Sequence, residues 1–395
     1  MSIASLPLAP PEEVGLSTSR LKRLTTILQK DIERGLLPGA VALIARRGRL
    51  PYFECLGQRD PASRSPMQRD AIFRIYSMTK PIVSVAAMML WEEGQFLLGD
   101  PIAKYLPEFA APQVAVERDG TVTLVPAKQP ITVQDLLRHT SGLAYEHRGD
   151  GPVQRRYLDA KISRRNQTAA EHAATLAGLP LMHQPGTHWE YSRSTDVLGR
   201  LVEVLSGQSL GAFFAERIFE PLRMDDTGFH VPERNHGRLA EAFARDPESG
   251  AEVQLLAVRE KPNFESGGGG LVSTAADYAR FLEMMLGQGA RGNTRLLGRK
   301  TVELMTADHL GPISGAPDLL MPGYGFGLGF AVRRDAGIAP IAGSIGQYHW
   351  SGIAGTNFWV DPAEQLFAIL MIQAPNQREY YRVLFRDLVY AAIAD

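Results

Sequence analysis

Strand-forming runs stand at both ends of this chain, and the long middle reads as helix and loop. Near the start, the apolar runs 39–45 and 50–57 flank a glycine-containing turn at 46–49, which is a hairpin signal. Near the end, 355–360 and 366–373 flank a turn at 361–365, and 324–332 alternates glycine with bulky residues. Between them, 133–138, 169–176, 195–205 and 210–218 carry helical periodicity. Strands so distant in sequence predict one sheet built from both ends of the chain, with a helical insertion. A helix is expected at 16–35, with Ser17 as N-cap and Gly35 as its stop, and another closes the chain at 378–393. The stretch 77–93 is helical with Pro81 in its first turn, where the missing N–H has no intrahelical role. Residues 267–272 lead into a helix at 274–286. The segment 145–165 is dense in charge and weak in period, so it is expected as an exposed loop or a short helix.

Composition narrows the class. The 395 residues are 45% hydrophobic and 22% charged, values of a globular protein that exclude disorder, collagen and coiled coil. The length suits two or three lobes or one large unit. Lys+Arg total 42 against Asp+Glu 43, a net charge of −1, and this balance argues against a nucleic-acid partner. The single cysteine, Cys55, excludes an intramolecular disulfide and a Cys-rich zinc site, and reads as a small hydrophobe in a strand. Residues 1–13 lack a basic start followed by an apolar run, so no signal peptide is expected. The longest apolar stretch, 83–91, is too short to span a bilayer. These features predict a cytoplasmic protein with no membrane partner, and leave homo-oligomerisation open.

Three local features carry chemistry. In Ser77-Met78-Thr79-Lys80 the serine and lysine are one helical turn apart at a helix start, so both project from one face. A serine hydroxyl needs a base before it attacks, and a lysine beside it can serve if its surroundings tune its proton affinity. In Tyr191-Ser192-Arg193, a tyrosine near a lysine can act in proton transfer. In His349-Trp350-Ser351-Gly352-Ile353, a strand containing glycine can offer a backbone N–H to a developing oxyanion. Gly207-Gln208-Ser209-Leu210-Gly211 matches the Gly-x-Ser-x-Gly pattern, but that elbow needs a strand before its serine. Here a helix precedes it, so Ser209 reads as the N-cap of the next helix. The histidines show no His-Glu-x-x-His, and His183 and His188 sit on a loop, so no metal is expected. No Gly-Lys-Ser/Thr phosphate loop exists, so no nucleotide cofactor is expected either.

In order and spacing, the three features resemble the serine β-lactamase and penicillin-binding protein superfamily. The segments Leu136-Leu137-Arg138-His139-Thr140-Ser141-Gly142-Leu143, Pro185-Gly186 through Ser192, and the glycine-rich stretches 266–274 and 324–330 extend the resemblance from about residue 12 to the end. Within the superfamily the chain is most similar to class C β-lactamases and the family VIII carboxylesterases related to them. The resemblance implies an α/β (α+β) fold, a mainly antiparallel sheet flanked by helices, from residues 1–98 and 236–395. It adds a mainly helical domain at 99–235, with the active site between the two. It implies that Ser77 is the acylated nucleophile, that Lys80 and Tyr191 share the proton work, and that the backbone N–H groups of Ser77 and Ile353 form the oxyanion hole. Trp350, Ser351, Gly352, His349 and Arg193 become candidates for contacting substrate, with His349 either lining the pocket or facing solvent.

Two departures bear on substrate. Arg193 stands where class C enzymes have an asparagine, and Trp350-Ser351-Gly352 replaces their Lys-Thr-Gly. Both weaken β-lactam hydrolysis and favour uncharged carboxylic esters of short to medium chain. The expected activity is that of a serine carboxylesterase on a small-molecule ester. The alternatives are a β-lactamase, D-Ala-D-Ala peptidase or acyltransferase of the same superfamily, and a non-catalytic penicillin-recognising module.

Overall fold

The computed structural model describes residues 6–118, 121–313, 315 and 319–395, so residues 1–5 of the opening segment lie outside it. An eight-stranded sheet runs in the order Tyr324–Phe326, Ala331–Arg333, Tyr348–Ser351, Asn357–Asp361, Leu366–Ile372, Gly39–Arg46, Arg49–Asp60 and Ser65–Pro66. Every neighbouring pair is antiparallel. The expected union of the two ends occurs at its centre, where Ala40 pairs with Ile372 and the register continues to Arg46 opposite Leu366. The hairpin between the first two long strands turns on Arg47 at φ 53° and Gly48 at φ 70°. Two consecutive positive φ values match the twist of the flanking strands.

The central strands read as unbroken apolar runs because both faces of the sheet are covered. Val41, Leu43, Phe367, Ile369 and Met371 point into the larger core, with the helices Thr79–Glu92 and Ala275–Leu286. Ala40, Ala42, Ile44, Leu366, Ala368 and Leu370 point the other way, against the helices Thr18–Glu33 and Arg378–Ala391. Period-two alternation of side chains then places apolar residues at every position. Helix Thr79–Glu92 is buried through its first twelve residues, as a helix apolar on all sides must be.

The elements match the reading of the sequence with three corrections. The helix expected from Ser77 opens instead with a 3₁₀ turn, Tyr76–Met78, and becomes α-helical at Thr79. The middle of the chain is not purely helix and loop: Gln113–Arg118 and Thr121–Pro126 form a two-stranded hairpin. The segment 145–165 follows the short-helix alternative but is not exposed throughout. It contains the helix Pro152–Asp159, and Tyr145 and Tyr157 are buried. Ser17 and Ser209 cap their helices as expected, accepting from the N–H groups of Arg20 and Ala212. Gly207 ends the helix before Ser209 at φ 70°, so the strand that a nucleophile elbow requires is replaced by a helix. Cys55 is half-buried, and burial pushes its thiol up. Among the described residues no helix is long and apolar enough to cross a membrane.

One buried cation ties the ends of the described chain to the sheet. Arg46, 3% exposed, donates to the carbonyls of Val14 and Gly15 and to the carboxylates of Glu364 and Asp395, at 2.7–3.0 Å. Replacement by methionine keeps the stem and leaves the buried Val14 carbonyl unpaired, since the Gly15 carbonyl keeps the Ala394 N–H and the carboxylates are partly exposed and regain water. Arg46→Met is expected to lower unfolding stability by about 2 kcal/mol, read as a shifted midpoint in urea. An unchanged midpoint would show that these contacts contribute nothing net.

Candidate active site

Ser77 occupies a 3₁₀ turn that several elements hold in place. Tyr76 before it has φ 44°, a left-handed conformation that a bulky residue adopts only where surrounding structure compels it. The Tyr76 hydroxyl accepts from the Leu256 N–H at 2.8 Å. Tyr278 donates its hydroxyl to the Met78 carbonyl at 2.9 Å, and the Leu271 N–H donates to the Thr79 hydroxyl at 3.1 Å. On the sheet side the Thr356 hydroxyl donates to the Ile75 carbonyl at 3.3 Å. The serine is thereby presented, half-buried, on the wall of a cleft of about 900 Å³.

Lys80 is 1% exposed. Its ammonium donates to Ser77 Oγ at 3.3 Å, to the Tyr145 hydroxyl at 2.9 Å and to the Gly268 carbonyl at 2.5 Å. The Tyr191 ring centre lies 4.5 Å from Nζ. Burial works against the ammonium, but the two tyrosines facing it outweigh burial and hold Lys80 above the ordinary lysine range. Burial also pushes Tyr145 up to about 12, so at neutral pH it meets the ammonium as a neutral hydroxyl. Tyr191 accepts from the Trp350 indole N–H at 3.3 Å. His139 packs on the Tyr191 ring at 5.0 Å from behind. Burial holds His139 well below its usual range, so it stays neutral there.

The acceptor at Gly268 is itself held. Asp196, fully buried, accepts from the Gly268 N–H at 2.9 Å and from the Ser266 hydroxyl at 2.6 Å. Burial opposes its ionisation, and Arg193 leads the interactions that outweigh burial and keep it low. A Cβ on Gly268 would stand 2.7 Å from the Asp196 carboxylate, which is why this position needs glycine. Arg193 joins Asp196 at 3.3 Å to Glu146 at 2.5 Å and lies over the Tyr145 ring at 4.8 Å. Glu146 is held down at about 2, because its partners His147 and Arg193 outweigh burial.

The third motif closes the opposite side. Trp350, Ser351 and His349 come from the strand Tyr348–Ser351 and line the same cleft as Ser77 and Tyr191. Gly352 donates its N–H to the Thr356 carbonyl at 2.7 Å, and a Cβ there would stand 2.5 Å from the Ile75 carbonyl. Ile353, 46% exposed, lines the rim of the cleft. His349 faces the cleft, resolving the choice left by the sequence.

Ser77, Tyr191, Arg193, His349, Trp350, Ser351 and Ile353 thus border one space, and Lys80 lies buried directly behind Ser77 and Tyr145. Two expected roles change in substance. The Arg193 guanidinium is committed to two carboxylates that hold Tyr145 and the Gly268 loop. Trp350, read as an apolar replacement, supplies an N–H to Tyr191. Tyr145 was missed, although it stands two residues past the segment Leu136–Leu143 that carries part of the resemblance. His183 and His188 stack on each other at 4.3 Å, and among the described residues no cluster suited to a metal occurs.

Comparison with known proteins places this arrangement. The family model described as Beta-lactamase matches residues 24–391. Esterase EstB of Burkholderia gladioli is 34% identical, with the match covering 99% of this chain and 100% of that protein. The lovastatin esterase of Penicillium rubens is 30% identical over 74% of each chain. The solved structure of EstCE1, described as a hydrolase with promiscuous acyltransferase activity, is 29% identical. It superposes with a TM-score of 0.79 over 94% of this chain and 98% of its own. A serine and a buried lysine one turn apart, a tyrosine beside them and a match spanning nearly the whole sequence lead to one conclusion: this chain belongs to the β-lactamase family of serine hydrolases.

Proposed function

We infer that the protein is a serine carboxylesterase that works through an acyl-enzyme on Ser77. The observation that carries this reading is the Lys80 ammonium, 3.3 Å from Ser77 Oγ and against the Tyr191 ring in one cleft. The cleft lies between a sheet-bearing lobe, residues 1–98 and 236–395, and a mainly helical lobe, 99–235. Ser77, Trp350 and Ile353 come from the first, and Tyr145, Tyr191 and Arg193 from the second.

The accepting atom of the Lys80–Tyr191 pair is the Tyr191 oxygen in its phenolate form, stabilised by the Lys80 ammonium beside its ring and by the Trp350 N–H. Ser77 Oγ bonds to the ester carbonyl carbon as its proton passes to Tyr191. The carbonyl oxygen becomes an oxyanion, held by the backbone N–H groups of Ser77 and Ile353. Gly352 has given its own N–H to Thr356, so Ile353, in the turn just past the strand, is the next donor along the chain. Each such donor is worth about 10²–10³ in rate. The C–O bond to the alcohol then breaks, and Tyr191 returns the proton to the departing alkoxide. Water attacks the acyl-enzyme by the same steps in reverse, releasing the acid and restoring Ser77. Leu256, Phe264, Leu319 and Met321 give the cleft apolar walls, suited to acyl chains of short to medium length. No cofactor takes part in these steps.

Ser77→Ala is expected to reduce hydrolysis of 4-nitrophenyl butyrate by about 10³-fold or more. Ser209→Ala, which removes a helix cap, is expected to keep turnover and lose about 1 kcal/mol of stability. The reverse pattern in a 4-nitrophenol release assay would remove Ser77 from the mechanism.

Tyr145 acts as a positioning residue for Lys80. Tyr145→Phe removes one of the oxygens that hold the Lys80 pKa up, so burial gains the upper hand and that pKa falls. The loss of the ammonium then moves to lower pH. The variant is expected to lose about tenfold in kcat, with the alkaline limb of its pH–rate profile displaced toward neutrality. A lower rate with an unmoved profile would mean that Tyr145 supports packing alone.

A further inference from the structure

One wall of the cleft contains charge that the acylation chemistry does not use. Arg378, Arg382 and Arg386 recur every four residues along the helix Arg378–Ala391, so they share one face, and all three line the cleft. Arg386 is 6% exposed. Among the described residues it forms no ion pair. Its Nη1 donates to the Tyr324 hydroxyl at 3.2 Å, and its plane lies over Trp359 at 5.2 Å. Arg382 donates to the Gly352 carbonyl at 2.6 Å and pairs at 2.7 Å with Glu379, whose side chain is 63% exposed. The Nε atoms of Arg382 and Arg386 and the Asn357 amide nitrogen are buried without an acceptor. All three residues line the cleft beside the third motif.

A guanidinium keeps its charge when buried, because its proton affinity is too high to surrender. A buried charge without a counter-ion is costly unless a partner arrives. Burial accordingly pulls both guanidiniums below their ordinary values. The planar fork of arginine matches a carboxylate in two-point contact, and the Asn357 amide adds a donor. We propose that this wall is an anion subsite, and that the ester substrate carries a carboxylate which docks on Arg382 and Arg386 while its carbonyl lies at Ser77. The proposal rests on the esterase reading of the cleft and makes that reading more specific. The expectation of an uncharged substrate rested on Arg193 in place of an asparagine and on Trp350 in place of a lysine. The C-terminal helix supplies cations from another direction.

The test uses two matched pairs of esters. Mono-4-nitrophenyl succinate against 4-nitrophenyl butyrate places the carboxylate on the acyl side. The butyrate ester of 4-hydroxybenzoate against that of its methyl ester places it on the alcohol side. In one pair the anionic ester is expected to exceed its neutral partner by about tenfold in kcat/KM, expressed mainly in KM. That ratio is expected to shrink in about 0.5 M salt, and to fall toward one in Arg382→Gln and in Arg386→Gln. Arg382 is the less buried of the two, so its variant keeps the test decisive if Arg386→Gln folds poorly. A ratio of one or below in both pairs with the unmodified protein, or a ratio retained in Arg382→Gln, would overturn the subsite. Hydrolysis of none of the four esters would instead refute the esterase reading. The subsite then stands or falls on whether succinate or benzoate raises the Tm of the unmodified protein and not that of Arg382→Gln.

Discussion

The Lys80 ammonium is the group around which this molecule is arranged. A buried cation must find acceptors, and each acceptor here comes from a different part of the chain. Tyr145 follows the segment Leu136–Leu143, Gly268 lies in a glycine-rich loop, and Ser77 stands one turn away. Each acceptor has its own support. Arg193 reaches both the Glu146–Tyr145 stretch and Asp196, and Asp196 holds the Gly268 N–H. Breaking a hydrogen bond at the rim of this network weakens the hold on the ammonium, because such bonds strengthen one another in a low-dielectric interior.

The sheet serves that centre by geometry. Its strands are apolar on both faces, so helices must cover both. The helix on one side delivers Lys80, and the 3₁₀ turn that opens it delivers Ser77. The helix on the other ends the chain and delivers Arg382 to the carbonyl of Gly352. The strand between them brings Trp350 to Tyr191. Ser77 and the charged wall, carried by helices on opposite faces of the sheet, therefore meet in one cleft, which suits a site whose parts must hold their spacing to within a fraction of an ångström.

Much of this was legible in the residues. Ser77 and Lys80 declare themselves by their separation on a helix, and the strand runs at 39–57 and 355–373 announce a sheet joined across the chain. Tyr191 and Trp350 were legible as members of a set, since neither carries a signal alone. Tyr145 was not, because its role comes from a contact 65 positions away, made by a segment without periodicity. Arg382 and Arg386 read as the polar face of an amphipathic helix, and only the packing of that helix against the third motif turns such a face inward. The hairpin Gln113–Arg118 with Thr121–Pro126 escaped although Val114 and Val116, and Val122 and Leu124, alternate with other residues, because two six-residue strands lie inside a stretch otherwise patterned as helix and loop.

The pairing of Ala40 with Ile372 also orders events in time. A ribosome releases Ser77 and Lys80 early, but the central ladder cannot close until nearly the whole chain has emerged. Contacts this distant in sequence form late, after the entropy of a very large loop has been overcome. Until then the nascent chain has no Trp350 against Tyr191 and no Ile353 at the cleft. Ser77 is synthesised early, and the cleft around it is completed only when the strand Leu366–Ile372 joins the sheet.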